Sequence, residues 1–277
     1  WLPVDSYIGG NEHAVLHLLY SRFITMVLHD AGRVPFEEPF KRFRAHGLII
    51  KDGAKMSKTK GNVVNPDEYV RLYGADVVRA QMLFAGSYIE GGDFRDSAIS
   101  GIVRFYRRVW DWARPSTAVG GPSSAVDEDK ARRAVHKAIK KLSEDFPALG
   151  FNTAIAMLME TMNTLRDGTL SPEVHTEVAR LYVLILAPLA PFLAEELWER
   201  LGGSFSVHQH PGPQYDPKLV VEEMITIVVQ INGKVRDRIE VPAAAGEEEI
   251  KARALATEGA HRFMEGKSAK KIVVVPG

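Results

Sequence analysis

Cysteine is absent from the 277 residues, which removes disulfide frameworks and thiolate zinc sites from the ways this chain can be held together or do chemistry. Long apolar runs are absent too. Nowhere do about 18 uncharged apolar residues follow one another, and no basic segment leads into an apolar one at the start, so neither a helical membrane span nor a secretion signal is visible. Net charge is the third absence: 35 Lys and Arg balance 35 Asp and Glu, so a nucleic-acid partner must be met by local patches rather than by a global field. What remains is a length sufficient for about two domains, 45% apolar residues to fill their cores, and the cytoplasm as the default compartment.

Against that neutral background one stretch stands out. Lys55, Met56, Ser57, Lys58, Thr59, Lys60, Gly61 and Asn62 put three ammonium groups, two hydroxyls and a glycine into eight residues. Lysine is a mobile point charge towards phosphate oxygens, and glycine lets backbone N–H groups come close enough to donate, so the pattern suits polyphosphate. A solvated basic loop or a localisation patch would read similarly when taken alone.

The N-terminal segment supplies a setting. Val4 to Ile8 reads as a short buried strand, Gly9 and Gly10 as a tight turn, and Glu12 to Leu28 as an amphipathic helix with Val15, Leu18, Leu19, Phe23 and Met26 on its inner face. In open α/β sheets a strand, glycine turn and helix place a ligand at the strand's carboxyl end, against the helix N-terminus. A flat ring can lie on Gly9 and Gly10, and the Glu12 carboxylate can accept from ribose hydroxyls. His13 and His17 are spaced to share one helix face, but the H-E-x-x-H order is missing and no third ligand is evident, so no metal site is expected. A structural histidine is the competing reading for His17.

Further on, Gly47 to Ile50 is a candidate strand, and Pro66 to Tyr73 and Asp76 to Phe84 are candidate helices. Ile102 to Trp112 is helical, Pro115 to Ala125 a linker, and Asp127 to Phe146 a helix with Ala131, Val135, Ala138, Ile139 and Leu142 on one side. Its opposite side carries Lys130, Arg133, Lys137, Lys140 and Lys141, open to water or to phosphate. Thr153 to Leu165 presents Met157, Met159 and Met162 inward, and Val178 to Leu201 is a helix that Pro188 and Pro191 should break, with Phe192 and Trp198 in the core. Met224 to Ile231, a type I′ turn at Asn232 and Gly233, and a return strand with Val235, Ile239 and Val241 inward make a hairpin whose outer face aligns Lys234, Arg236 and Arg238. A helix over Glu247 to Met264 and a strand over Lys271 to Val275 follow.

Trp1 to Ala14, with its Tyr-Ile-Gly-Gly-x-Glu-His-Ala core, the lysine run at 55 to 62, and Val-Gln-Ile-Asn-Gly-Lys-Val-Arg at 229 to 236 together resemble the bacterial leucyl-tRNA synthetases, a class I aminoacyl-tRNA synthetase family. The resemblance covers nearly the whole chain and implies a multidomain α/β plus all-α architecture. Residues 1–97 would be the second half of a Rossmann-like catalytic fold with a stem-contact module, 98–205 a helical anticodon-binding bundle, and 206–277 a small ββαβ domain that touches tRNA. The implied activity is ATP-dependent activation of leucine, with Mg²⁺ on the ATP, and transfer to tRNA(Leu). Lys55 and Lys58 would be catalytic; Gly9, Gly10, Glu12, His13, Met56, Ser57 and Thr59 would hold ATP; His17 would line the leucine pocket. Arg133, Lys137, Lys140, Lys141, Lys234, Arg236 and Arg238 would meet tRNA.

Several departures qualify that match. Thr59 replaces the more usual serine, Phe192 a histidine and Gly212 a tryptophan, and the chain ends a few residues early. The His-x-Gly-His signature of the class is missing, and the chain opens at Trp1, so the expectation is a C-terminal portion that lacks the first half of the catalytic fold and the editing insertion, and works with that N-terminal part as partner. A non-catalytic RNA- or protein-binding module and a synthetase for valine, isoleucine or methionine remain as alternatives.

Overall fold

A computed structural model describes residues 1–114, 124–221, 224–242, 245–264 and 272–274, apart from the side chains of 224–226. The chain falls into two compact units, Trp1–Leu219 and Val220–Gly277.

The first unit begins with β1 (Tyr7–Gly10), which runs parallel to β2 (Phe43–His46) with Gly10 opposite His46. The strand starts three residues later than its sequence suggests, since Val4 makes only an isolated bridge to Phe40. After Gly10 the chain tightens into a 3₁₀ turn, Asn11–Val15, and α1 (His17–Asp30) starts beyond it. The single helix expected from Glu12 is therefore interrupted: the Leu16 N–H bonds back to the His13 carbonyl at 3.2 Å, three residues away. Of the five residues expected on the inner face of α1, only Leu18 is buried; Val15, Leu19, Phe23 and Met26 are exposed.

Gly47 alone separates β2 from β3 (Leu48–Lys51), and it has to be glycine, because a Cβ there would lie 2.1 Å from the backbone nitrogen of Gly91. A four-stranded sheet follows in the order β4 (Ala54–Lys55), β3, β6 (Gly91–Phe94), β5 (Gly86–Ser87), with β3 parallel to β6 and antiparallel to β4. Between β4 and β5 lie α2 (Pro66–Tyr73) and α3 (Ala75–Phe84). The start of α2 is set by Asn65, whose Oδ1 accepts from the Asp67 N–H at 3.1 Å, and by Pro66 in the first turn, where its missing donor costs nothing.

A helical bundle holds most of the core: α4 (Asp96–Ala113), α5 (Ala125–Ala148), α6 (Phe151–Asp167), α7 (Pro172–Leu186) and α8 (Pro191–Arg200). The inner side of α5 is as its spacing predicts, with Ala131, Val135, Ala138, Ile139 and Leu142 all buried. Tyr182 is fully buried and discharges its hydroxyl by donating to the Leu158 carbonyl at 2.9 Å. The prolines do part the last helix, since α7 stops at Leu186 and α8 starts on Pro191. Trp198 is buried as expected, but Phe192 is 69% exposed on the first turn of α8 and is not a core residue. Most of the expected linker, 115–123, lies outside the described residues. The unit ends with a 3₁₀ turn, Val207–Gln209, and the short α9 (Pro217–Val220) at the boundary between units.

The second unit is built on the hairpin of β7 (Met224–Ile231) and β8 (Lys234–Pro242), turned by Asn232 (φ +52°) and Gly233 (φ +76°). The expected single helix is two, α10 (Glu247–Leu255) and α11 (Glu258–Met264). Residues 272–274 are described without strand structure, and both ends of the proposed third strand, Lys271 and Val275, lie outside the described residues.

Candidate functional site

The lysine loop hangs from β4, where Lys55 pairs with Ile50 of β3. Asn62 closes it from within: the Ser57 N–H donates to Asn62 Oδ1 at 2.8 Å, and Asn62 Nδ2 donates to the Lys55 carbonyl at 3.2 Å. Ser57 Oγ accepts from the Lys60 N–H at 3.3 Å, and Gly61 takes φ +66° to turn the chain back. Met56 and Val64 pack against the core at either end. The backbone is thus tied down while Lys55, Lys58 and Lys60 stay exposed, their ammonium groups without hydrogen bond or ion pair among the described residues. A tied-down backbone that carries ammonium groups without partners among the described residues leaves those charges available to phosphate oxygens. Asn62 belongs to the loop's architecture and was not singled out from sequence; its place at the end of the run, after the turning glycine, was the available signal.

At the other segment the ring of Tyr7 is the centre. His17 stacks on it at 5.5 Å between centroids and 23° between planes, His13 meets its edge at 6.5 Å, and Phe40 lies at 4.9 Å. His13 and His17 belong to different elements, the 3₁₀ turn and α1, so the common helix face expected for them does not exist; both reach Tyr7 from separate backbones. Among the described residues His13 Nδ1 is buried with no hydrogen-bond partner, whereas His17 is exposed, with Nε2 3.3 Å from Ser21 Oγ. The Glu12 carboxylate folds over Gly10, occupying the space a side chain there would take. In the sequence Tyr7 stands out only as part of the Tyr-Ile-Gly-Gly motif and Phe40 not at all, because an isolated aromatic reads first as core.

Continuous chain joins the two segments. Gly10 pairs with His46 and Lys55 with Ile50, and His46 and Ile50 are four residues apart, a span of at most about 14 Å. With one strand spacing of about 5 Å added at each end, Gly10 and Lys55 cannot be more than about 24 Å apart. Among the described residues no group of three or more His, Asp or Glu is arranged to hold a metal.

Basic residues expected to meet RNA are placed unevenly. On α5, Arg133 is ion-paired to Asp129 at 2.6 Å and Lys141 to Asp145 at 2.5 Å, Lys137 is half-buried, and Lys140 is exposed. Acids one helical turn away therefore offset part of a face that the wheel presents as purely basic. In β8 the outer row is broken. A bulge between Val229 and Gln230 shifts the register, so Val235 is 55% exposed instead of inward, while Arg236 lays its guanidinium 3.8 Å from the centroid of Phe263. Lys234 and Arg238 remain exposed. Asp237, next to the bulge, accepts from the N–H groups of Arg238 and Gly259, which hold its carboxyl below the usual carboxylate range and pin the start of α11.

Residues 3–93 match the family described as tRNA synthetases class I (I, L, M and V), and residues 129–251 match the anticodon-binding domain of tRNA ligase. Leucine–tRNA ligase of Fervidobacterium nodosum is 47% identical over the whole of this chain, and that of Geobacter sp. (strain M21) is 46% identical, each aligned over 35% of its own length. Over its whole length the chain is similar to the leucine–tRNA ligases. Among solved structures, the Agrobacterium radiobacter K84 agnB2 LeuRS in a ternary complex with tRNA and LeuAMS superposes with a TM-score of 0.77 at 36% identity, over 99% of this chain and 37% of that one. Mycobacterium tuberculosis methionyl-tRNA synthetase bound by methionyl-adenylate, at 22% identity, shares the fold over 73% of this chain and 45% of its own with a TM-score of 0.58. The chain spans about 35% of the length of the curated relatives it matches.

Proposed function

We propose that this chain is the C-terminal portion of a leucine–tRNA ligase and supplies the lysine loop for adenylate formation. The carboxylate of leucine attacks the α-phosphorus of ATP, pyrophosphate leaves, and a ribose hydroxyl at the 3′ end of tRNA(Leu) then takes the leucyl group from the adenylate. Negative charge spreads over the phosphate oxygens in the first step, and catalysis there is positioning plus electrostatic stabilisation. Lys55 and Lys58 provide that charge, with Ser57, Thr59 and the Met56 backbone shaping the loop around the phosphates. Gly9, Gly10, Glu12 and His13 receive the adenosine, and His17, stacked on Tyr7, faces the amino-acid side chain. Mg²⁺ bound to the triphosphate would add charge neutralisation beside Lys55 and Lys58.

In this reading residues 1–97 form the second half of the catalytic fold with its stem-contact module, 98–205 the anticodon-binding bundle, and 206–277 a tRNA-contacting domain, in a cytoplasmic enzyme. Lys140, Lys234 and Arg238 are the cations most open to phosphate, with Arg133, Lys137, Lys141 and Arg236 contributing after exchange of their present contacts. The remainder of the synthetase supplies the opposite wall of the ATP cleft and covers α1. The observation that carries the reading is the lysine loop itself, with its backbone closed by Asn62 and its ammonium groups unpaired among the described residues. In the full-length enzyme, Lys58→Ala should slow leucine-dependent ATP–pyrophosphate exchange about 10²- to 10³-fold; exchange at the wild-type rate would remove the loop from the chemistry.

A further inference from the structure

Helix α8 starts without a cap of its own. Ala190 stands at the N-cap and offers no side-chain acceptor, and Pro191 follows it, so the next N–H groups must be satisfied from elsewhere. The acceptor comes from 117 residues earlier in the chain: Oδ2 of Asp76, in the first turn of α3, accepts from the Leu193 N–H at 2.8 Å. Asp76 is only 8% exposed, and its other oxygen is buried with no hydrogen bond among the described residues. Burial pushes its carboxyl pKa up, against the pull of the Leu193 N–H, Arg79, the Phe192 N–H and His208.

A buried, half-satisfied carboxylate is a costly way to cap a helix. A serine or aspartate at position 190 would serve α8 alone; what Asp76 adds is a bond between α8 and α3. A second long-range cap extends the chain of contacts: Glu195 of α8 accepts from the Val207 N–H at 3.1 Å and from the Ser206 hydroxyl, closing the 3₁₀ turn Val207–Gln209. In the other direction α3 leads directly into β5, β5 pairs with β6, β6 with β3, and β3 with β4, which carries Lys55.

We infer that Asp76 is a positioning residue, a clasp that fixes the lysine-loop sheet on the helical bundle and thereby sets where Lys55 and Lys58 stand in the transition state. The kinetic half of this inference rests on the adenylation reading; the mechanical half does not. Two readouts in the full-length enzyme separate them. In hydrogen–deuterium exchange, Asp76→Ala should raise exchange about tenfold both at the first turn of α8 and at the Ser57 and Lys60 N–H groups of the lysine loop. Faster exchange confined to α8 would make Asp76 a local cap and overturn the clasp. In pyrophosphate exchange, the same variant should keep KM for ATP and leucine within about twofold while kcat falls about 10- to 100-fold, as displaced catalytic groups do; wild-type kcat in a folded Asp76→Ala enzyme would overturn the kinetic role. Asp76→Asn keeps an oxygen for Leu193 and should retain kcat within about threefold. A tenfold loss in Asp76→Asn would also count against the clasp, including where Asp76→Ala does not fold. Absence of exchange activity in the wild type would sink the adenylation reading, and the clasp would then be decided by the hydrogen-exchange pattern alone.

Discussion

Asn62 is a small residue with a large share in the lysine loop, because its amide satisfies two backbone groups that would otherwise let the loop open: the Ser57 N–H and the Lys55 carbonyl. Each such bond contributes about 1 kcal/mol net. Asn62→Ala should therefore cost up to about 2 kcal/mol of loop order, lowering kcat/KM for ATP in pyrophosphate exchange roughly 10- to 30-fold with little change in global stability. A variant with unaltered kcat/KM would mean that the loop is ordered by its ligand and not by its own amide. The lysines were legible in the sequence because their charge density is local, a property of eight adjacent residues. Asn62 and Tyr7 were not, because their roles depend on chain returning to them: Asn62 bonds across five and seven residues, and Tyr7 gathers rings from His13, His17 and Phe40.

At the scale of elements, legibility follows where an element finds its partners. The wheel of α5 reads correctly because its apolar side packs on helices of the same chain, and the parting of α7 from α8 reads correctly because Pro188 and Pro191 act through backbone chemistry alone. The expected face of α1 fails for the opposite reason: Leu19, Phe23 and Met26 are spaced for burial and exposed in the structure. In β8 the failure is one of period, since a bulged residue reverses the alternation and no count of two along the strand foresees it. The α5 wheel gives a sharp comparison between neighbours. Ile139→Ala should destabilise the chain by about 2 to 5 kcal/mol, as a cavity in a filled core does. Lys140→Ala, one position on and exposed, should stay within about 0.5 kcal/mol. Urea denaturation measures both, and similar values for the two would show that α5 is not seated as described.

For the molecule as a whole, the informative feature is an α/β layer left open. Parallel strands are normally buried on both faces, and here β1 and β2 form a two-stranded parallel sheet of their own beside a helix whose Leu19, Tyr20, Phe23, Ile24 and Val27 are all exposed. The relatives are almost three times as long as the segment they share with this chain, so the proposed cover for that face is the rest of the synthetase. Burying side chains of this size is worth about 1.5 to 3 kcal/mol each, and a bare patch of them drives association when its cover is missing. The chain by itself should therefore self-associate at micromolar concentration in sedimentation velocity, and Leu19→Glu with Phe23→Glu should return it to monomer. In the full-length enzyme the same pair should act in reverse, placing two carboxylates in an interface and lowering stability by several kcal/mol. A full-length double variant as stable as its parent would place the proposed remainder of the synthetase somewhere other than on α1, and would leave the proposed second wall of the ATP cleft without its support.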